Sequence, residues 1–192
     1  MNSCRIELAR LQAKIAELQT LSGIDLDIPP CQNLELLVKR PRVGVGCILL
    51  SPQHEAKLLI GERQGSHGAG KWALPGGHLE QNESWQECAE KEVLEECGIR
   101  IRTTRWEMLH VSNDPMPEED RHYVTIFMYA FLVSKEDEGI VNLESEKCKG
   151  WEWVRLEDVQ DKPTFAPLQH FIETGGLIKL EQLQKQKQNT KP

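Results

Sequence analysis

Two absences set the first limits on this sequence: long apolar runs and closely spaced cysteines. No run of 18 apolar residues occurs, which excludes an ordinary transmembrane helix. The six cysteines form neither a CxxC pair nor a Cys/His zinc spacing, so their pattern does not indicate a zinc site. Charged residues interrupt the N-terminus, and we therefore expect no signal peptide and reduced thiols. A cytoplasmic location is expected, with a nuclear one also open.

Positive charge is scarce as well. Lys and Arg number 23 against 30 Asp and Glu, which gives a formal net charge of −7. This balance argues against long-range attraction to a nucleic-acid polymer or an anionic membrane. It still allows a small phosphorylated substrate, because bound metal ions can supply local positive charge.

Residues 1–30 are predicted to form an N-terminal helix and a linker. A narrow apolar stripe there repeats at intervals of 3, 4 and 3 residues, which is typical of one helix face. Its members are Leu8, Leu11, Ile15 and Leu18. Three interpretations stay open: a helix docked on the domain, a helix that forms a homodimer, or a loose tail.

Residues 40–175 are predicted to form one domain of mixed strands and helices. Apolar and β-branched runs predict strands over 43–50, 57–63, 72–77, 100–111, 122–134 and 151–155. Helices are predicted over 84–97 and 168–173, and polar loops over 113–121 and 135–150. Residues 176–192 form a polar C-terminal tail, of which we expect the last dozen residues to be disordered. The pattern indicates an α/β or α+β class.

Three carboxylates in the predicted helix over 84–97 point to chemistry. Glu92, Glu95 and Glu96 stand at i, i+3 and i+4, so they share one helix face. Like charges at that spacing repel unless something positive lies among them. Clustered carboxylate oxygens suit Mg²⁺ or Mn²⁺, and magnesium suits substrates that carry phosphates.

These glutamates belong to a longer pattern. Gly77 is followed after five residues by Glu83 and after seven more by KEVLEECGI, which is residues 91–99. The pattern resembles the Nudix box, with Lys91 where the family usually has Arg. The resemblance implies an α/β/α sandwich with mixed sheets, and hydrolysis of a nucleoside diphosphate linked to another group with Mg²⁺ or Mn²⁺.

The resemblance also implies roles for residues of the box. Glu92 and Glu96 are the leading metal ligands, and Glu95 is a ligand or a base. The Gly77 carbonyl is a further ligand. Lys91 is expected to pair with a neighbouring glutamate and hold it in place, although lysine lacks the fork of arginine. On acidity alone, a solvated helix face would explain the same glutamates.

Four further segments narrow the resemblance. LPGGHLE, ESWQECA, HYVTIFM and LESEKCKGWEWV resemble the MutT-homologue nucleoside triphosphate diphosphatases of animals and their plant cytosolic relatives. That branch converts nucleoside triphosphates, including oxidised guanine nucleotides, to monophosphate and diphosphate. The alternatives are a dinucleotide pyrophosphatase acting on ADP-ribose or NADH, and an inactive binding module with the same fold. The NADH-pyrophosphatase signature SQPWPFPxS is absent from the sequence.

Five further residues are candidates for substrate binding. Arg63 and Lys71 flank a glycine-rich loop and are expected to bind phosphate or to be surface charges. His78 contacts phosphate or makes a structural hydrogen bond. Thr125 points at the base or faces outward on its strand. Phe165 is the candidate for base stacking, because the branch usually has Phe-Trp near the last helix and this chain has Phe-Ala.

Overall fold

The computed structural model describes residues 40–65 and 67–189, and Arg10, Ala13, Lys14 and Glu17 nearer the N-terminus. These four residues are helical and exposed, and the predicted apolar stripe lies outside the described residues. The chain divides into units Met1–Lys39 and Arg40–Pro192. Among the described residues, no helix is both long and apolar enough to cross a membrane.

The described part of the second unit contains seven strands and five α-helices. The strands are β1 (Arg42–Leu50), β2 (Lys57–Arg63), β3 (Trp72–Ala73), β4 (Gly76–His78), β5 (Glu107–Met116), β6 (Arg121–Phe131) and β7 (Cys148–Arg155). The helices are α1 (Trp85–Cys97), α2 (Ser134–Glu138), α3 (Leu156–Val159), α4 (Ala166–Glu173) and α5 (Gly176–Asn189). Short 3₁₀ helices occupy Thr103–Arg105 and Pro117–Glu119.

The strands form two sheets, and the larger one is mixed. Its order is β4-β1-β6-β5, with β1 parallel to β6 and the other pairs antiparallel. The smaller sheet has the order β3-β2-β7 and is antiparallel. In the larger sheet, Gly44 of β1 is the register partner of His78 on one side and of Thr125 on the other. This register brings three predicted elements of the site side by side.

Helices cover both faces of the larger sheet, and the side chains of β1 are therefore buried on both sides. Val45, Cys47 and Leu49 belong to a core that also contains the apolar face of α1. The alternate residues Ile48 and Leu50 belong to a second core with residues of α4 and α5. Successive side chains of a strand point to opposite faces, so this alternation places helices on both sides of the sheet. The predicted α/β fold with a mixed sheet is therefore confirmed.

Helix α1 begins and ends as its sequence predicts. The Ser84 hydroxyl accepts a hydrogen bond from Glu87 N at 3.2 Å, and the Glu87 carboxylate accepts one from Ser84 N at 2.8 Å. This reciprocal capping satisfies two amides that the first turn leaves unpaired. Gly98 ends the helix with φ 73°, a left-handed conformation that glycine adopts at low cost. The box glutamates therefore stand on a helix with two defined ends.

Two loops are shorter in the structure than the sequence predicted. Residues 113–116 continue β5, and the turn into β6 is a single 3₁₀ helix. Pro115 is tolerated because β5 is an edge strand of the sheet, where a missing amide hydrogen can face away from the ladder. The predicted loop over 135–150 contains most of α2 and the start of β7.

The prediction of disorder in the last dozen residues is wrong for 181–189, which continue α5. Leu180 is fully buried, and Leu177 and Leu183 pack against the same core. Leucines spaced by three residues mark a helix face, a signal that the Gln- and Lys-rich composition obscured. The compact unit therefore extends beyond residue 175, and residues 176–189 form a helix that packs against it.

Candidate active site

A cavity of about 600 Å³ opens between the elements that carry the predicted site residues. Its walls come from β1, β4 and β6 of the larger sheet, β2 and β7 of the smaller one, α1, and the start of α4. The volume is in the range of sites that hold small ligands and cofactors. Glu92, Glu95 and Glu96 all line it, so the structure brings the box to a concave surface.

Glu96 and Glu92 are the more buried members of the triad. The Glu96 carboxylate accepts a hydrogen bond from Gly76 N at 2.9 Å, which ties α1 to the start of β4. Burial raises the pKa of Glu96 to about 8, and the nearby charges of Glu92 and Glu144 add to this rise. Burial likewise raises the pKa of Glu92. Glu95 is exposed within the cavity.

Lys91 links two glutamates of the box. Its ammonium nitrogen lies 2.9 Å from Glu83 Oε1 and 3.7 Å from Glu92 Oε1. Glu83 also accepts a hydrogen bond from Glu80 N at 2.9 Å, so the loop before α1 is held to the helix. A point charge suffices here, because Lys91 contacts each glutamate through one nitrogen rather than through a bidentate fork.

Gly77 is required by the position of Glu92. A Cβ atom built at Gly77 would overlap the Glu92 carboxylate, so any larger residue would displace that side chain. The preceding Gly76 has φ 148°, and a Cβ there would collide with the Val45 carbonyl oxygen. Gly77 thus lets the β4 backbone approach the Glu92 carboxylate closely, and Gly76 lets it approach β1.

The donor set suits a hard divalent cation. Six glutamates line the cavity: Glu80, Glu92, Glu95, Glu96, Glu144 and Glu146. Across the described residues, no three His, Cys, Asp or Glu side chains are already gathered into a complete metal-binding group. The raised pKa values of Glu96 and Glu92 show that their negative charge is poorly compensated by the protein. Carboxylate oxygens with uncompensated charge fit Mg²⁺ or Mn²⁺, which also take water and phosphate ligands.

Arg63, the last residue of β2, brings positive charge to the cavity. Its guanidinium carbon lies 4.5 Å from the centroid of the Phe165 ring, and Nε donates to the His67 carbonyl at 3.2 Å. Burial lowers the pKa of Arg63, but arginine stays charged at neutral pH. The edge of the Phe165 ring meets the His67 ring, with centroids 5.0 Å apart. Arg63 therefore occupies one face of Phe165, the residue that we expected to stack on a base.

Of the three remaining candidates for substrate binding, two line the cavity and one does not. His78 lines the cavity and shares a hydrogen bond of 3.0 Å with the Tyr123 hydroxyl, and burial lowers the pKa of its ring. Thr125 lines the cavity and is nearly buried. Lys71 is exposed and lies outside the residues that line the cavity. Of the two cations around the glycine loop, only Arg63 faces the cavity.

Residues that the sequence did not single out complete the wall. Arg121 and Lys147 line the cavity as additional cations, and Lys147 Nζ lies 2.7 Å from Glu144 Oε1.

Asp114 is fully buried and accepts a hydrogen bond from Thr125. It was missed because residues 113–121 were predicted as a loop. The alternation of Ser112, Asp114 and Met116 on one face of β5 was the signal that could have found it.

Comparison with known proteins decides the family. Residues 40–174 match the family model described as NUDIX domain. The chain belongs to the Nudix family. The Nudix match covers every element that lines the cavity, from β1 to the start of α4.

Two curated Nudix relatives are 27% identical to the chain. One is the NAD-capped RNA hydrolase NudC of Photobacterium profundum, matched over 71% of this chain and 44% of the relative. The other is named "Putative 8-oxo-dGTP diphosphatase 3" and comes from Mycobacterium tuberculosis, matched over 67% of this chain and 54% of the relative. The chain thus spans about half the length of these relatives.

A solved Nudix structure agrees with the fold. The MutT NUDIX hydrolase of Burkholderia pseudomallei aligns with a TM-score of 0.54 at 26% identity. The alignment covers 62% of this chain and 86% of the Burkholderia chain. The mixed sheet and flanking helices described above are therefore those of a Nudix domain.

Proposed function

We propose that this Nudix chain hydrolyses nucleoside triphosphates to nucleoside monophosphate and diphosphate with Mg²⁺ or Mn²⁺. The observation that carries the proposal is the single cavity that holds Glu92, Glu95 and Glu96 on one wall and Arg63 on another. A triphosphate needs both kinds of wall, because its phosphates require cations while the ion that neutralises them requires carboxylates. A solvated acidic helix face would not place these glutamates in a concave site.

The residues of the chain divide the work of such a reaction. Glu92 and Glu96, with the Gly77 carbonyl, would hold the divalent cation. When bound, that cation neutralises the diphosphate and makes water a stronger nucleophile at neutral pH. Arg63 would bind the phosphates, and Lys91 would keep Glu92 in place through its two carboxylate contacts.

The chemical step adds one water across a phosphoanhydride bond. The water oxygen attacks phosphorus, the bond to the diphosphate leaving group breaks, and the water proton passes to a base. Glu95 is the candidate for that base, because it is the exposed carboxylate of the triad and faces the cavity. The step consumes one water and one phosphoanhydride bond and leaves two phosphate groups: the water oxygen stays on the attacked phosphorus, and the bridging oxygen leaves with the diphosphate.

The relatives support two substrate classes. The name of the Mycobacterium tuberculosis relative supports a nucleoside triphosphate, including an oxidised purine nucleotide. The name of the Photobacterium profundum relative supports the second candidate, a dinucleotide pyrophosphatase. The absence of the SQPWPFPxS signature favours the triphosphate over NADH.

A substrate panel tests the proposal. The full chain would be incubated with Mg²⁺ and, separately, with dGTP, 8-oxo-dGTP, ADP-ribose and NADH, and the products would be separated by chromatography. We expect monophosphate and diphosphate from one or both triphosphates. Cleavage of ADP-ribose or NADH alone would establish the second candidate. Binding of nucleotides without turnover of any of them would establish the inactive binding module.

A further inference from the structure

The part of the cavity lined by β6 contains the Thr125 hydroxyl, whose direction is fixed by a hydrogen bond to a buried carboxylate. Tyr123, Thr125 and Phe127 alternate along β6 toward the cavity, and all three line it. Gly44 stands beside Thr125 on β1, and even a Cβ atom there would lie 3.7 Å from Thr125 Oγ1. Gly44 has no side chain to occupy the space beside that oxygen, and Thr125, although only 5% exposed, lines the cavity.

Asp114 accepts the hydrogen bond that this hydroxyl donates. It is fully buried on β5, and its carboxylate accepts hydrogen bonds from the Thr125 hydroxyl and from the Ser112 hydroxyl, the latter at 2.6 Å. His170 of α4 places Nδ1 2.9 Å from the same carboxylate. An ionised carboxylate only accepts hydrogen bonds, so the single proton of Thr125 is committed to Asp114.

The commitment of that proton sets what Thr125 can offer a ligand. A hydroxyl has one donor and two acceptor positions. With the donor used inside the protein, only lone pairs remain for the cavity. A ligand with an N–H group at this point forms a hydrogen bond, whereas a ligand with an acceptor there leaves two acceptors facing each other.

We propose that Asp114 is a positioning residue that makes Thr125 an obligate hydrogen-bond acceptor, so that the cavity selects nucleobases presenting an N–H donor to Thr125. The proposal rests on the proposed function, because it names the feature of the nucleotide that the same site selects. Asp114 does not touch the nucleotide. It acts through Thr125, and His170 and Ser112 fix the carboxylate that does so.

Replacing Asp114 with Asn tests the proposal because it should reverse the direction of the hydrogen bond to Thr125. The carboxylate oxygen that now accepts from Ser112 and His170 would remain the amide oxygen, since both donors need an acceptor. The amide nitrogen would then face Thr125 and donate to it. The Thr125 proton would be released toward the cavity, and the hydroxyl would become a donor to the base.

The experiment compares nucleotides that differ by one donor. The pairs are dATP with the purine deoxynucleotide lacking the 6-amino group, dGTP with dITP, and dGTP with its N1-methyl derivative. For the full-length wild-type chain, we expect kcat/KM to favour the donor-bearing member of at least one pair by about tenfold or more. In Asp114→Asn that preference should disappear or reverse. In Thr125→Val it should disappear.

Asn113→Ala is the matched control, since Asn113 is the exposed neighbour of Asp114 on β5, bonds His122 instead and lies outside the cavity lining; we expect the wild-type preference. Thermal unfolding of each variant shows that it is folded, and dissociation constants measured with EDTA give the same ratios without turnover. A preference that persists in Asp114→Asn, or no preference in a wild-type chain that hydrolyses these nucleotides, would overturn the inference alone. A wild-type chain that neither hydrolyses nor binds any of them would overturn the proposed function first.

Discussion

The guanidinium of Arg63 lies over the ring of Phe165, with 4.5 Å between the guanidinium carbon and the ring centroid. Gly68 permits this arrangement, because a Cβ atom there would lie 2.8 Å from the ring. The stacked ring restrains the Arg63 side chain, which lines the same cavity as the glutamates. Phe165 thus holds Arg63 in place, as its proposed role in phosphate binding requires.

Substitution of Arg63 tests this assignment. We expect Arg63→Lys to lower kcat/KM for a triphosphate by about tenfold, because lysine keeps the charge but loses the planar fork and the stacking. Arg63→Ala should lower it further. Steady-state hydrolysis of dGTP provides the measurement, with thermal unfolding as the check on folding.

Lys71→Ala is the comparison for Arg63→Ala. Both remove one positive charge beside the glycine loop, but Lys71 is exposed and lies outside the cavity lining. Its effect should therefore be clearly smaller than that of Arg63→Ala. Equal losses would mean that general surface charge, rather than the placed guanidinium, attracts the phosphates.

Glu96 should make the metal-free protein less stable as the pH rises. Burial raises the pKa of its carboxyl to about 8 in the fold, above the value of about 4.3 for an unperturbed glutamate. A raised carboxyl pKa stabilises the fold below the unfolded pKa, and this contribution is lost as the pH rises through about 8. In EDTA at pH 9, Glu96→Gln should therefore unfold at a higher temperature than the wild type.

The gain expected from Glu96→Gln is on the order of 1–3 kcal/mol, as for other poorly compensated buried groups. Glu95→Gln, which changes an exposed carboxylate of the same triad, should leave the metal-free stability nearly unchanged. Addition of Mg²⁺ should raise the melting temperature of the wild type more than that of Glu96→Gln, because binding stabilises only a competent site. A Glu96→Gln protein that is less stable than the wild type in EDTA at pH 9 would contradict this account.

Glu136 should contribute stability of the opposite pH dependence. Burial raises the pKa of its carboxyl, but hydrogen bonds from Arg105 and from Val133 N outweigh burial and lower it below its ordinary value. A lowered pKa gives stability that is present above the unfolded pKa and lost as the pH falls through the folded one. Glu136→Gln should cost about 1–3 kcal/mol at pH 7 and clearly less at about pH 3.

Urea unfolding at several pH values measures this difference. Glu138→Gln is the matched control, because Glu138 is exposed on the same short helix and should change the unfolding free energy by less than about 0.5 kcal/mol. A cost of Glu136→Gln that stays constant down to pH 3 would show that the ion pair is not its source.

Helix α5 should be part of the cooperative unit. Leu180 is fully buried, and replacing a buried leucine with alanine costs about 2–5 kcal/mol. Leu180→Ala should therefore lower the midpoint of chemical unfolding strongly. Ile178→Ala, on the same helix but 62% exposed, should have almost no effect. Similar midpoints for the two variants would support the disordered tail that the composition suggested.

The fold was predictable where local signals and burial agreed. The capping serine and the terminal glycine of α1 are encoded within the helix itself, and the strand over 57–63 was predicted at its observed bounds. The end of β5 was not, because Pro115 reads as a loop signal unless the strand is known to be at an edge. Helix α5 was hidden because Leu180, which is buried, and Leu177 and Leu183, which are partly buried, pack against a core built by other elements of the chain.

The residues of the site also differ in whether the local sequence could predict them. Glu92, Glu95 and Glu96 were found because their ligand chemistry depends on spacing along one helix. Asp114 was not, because its importance comes from Thr125 and His170, which are distant in sequence and meet it only in the fold. The position of Arg63 over Phe165 has the same origin. The contacts proposed for specificity depend on the tertiary fold, while the grouping of the three glutamates follows from local spacing.

The most direct test of the central claim is diphosphate release from dGTP or 8-oxo-dGTP by the wild type and by Glu96→Gln, each with Mg²⁺ and with EDTA. We predict turnover by the wild type that requires Mg²⁺ and falls by about 100-fold or more in Glu96→Gln, with the variant still folded. Equal turnover by the two proteins, or wild-type turnover that is the same in EDTA, would contradict the claim.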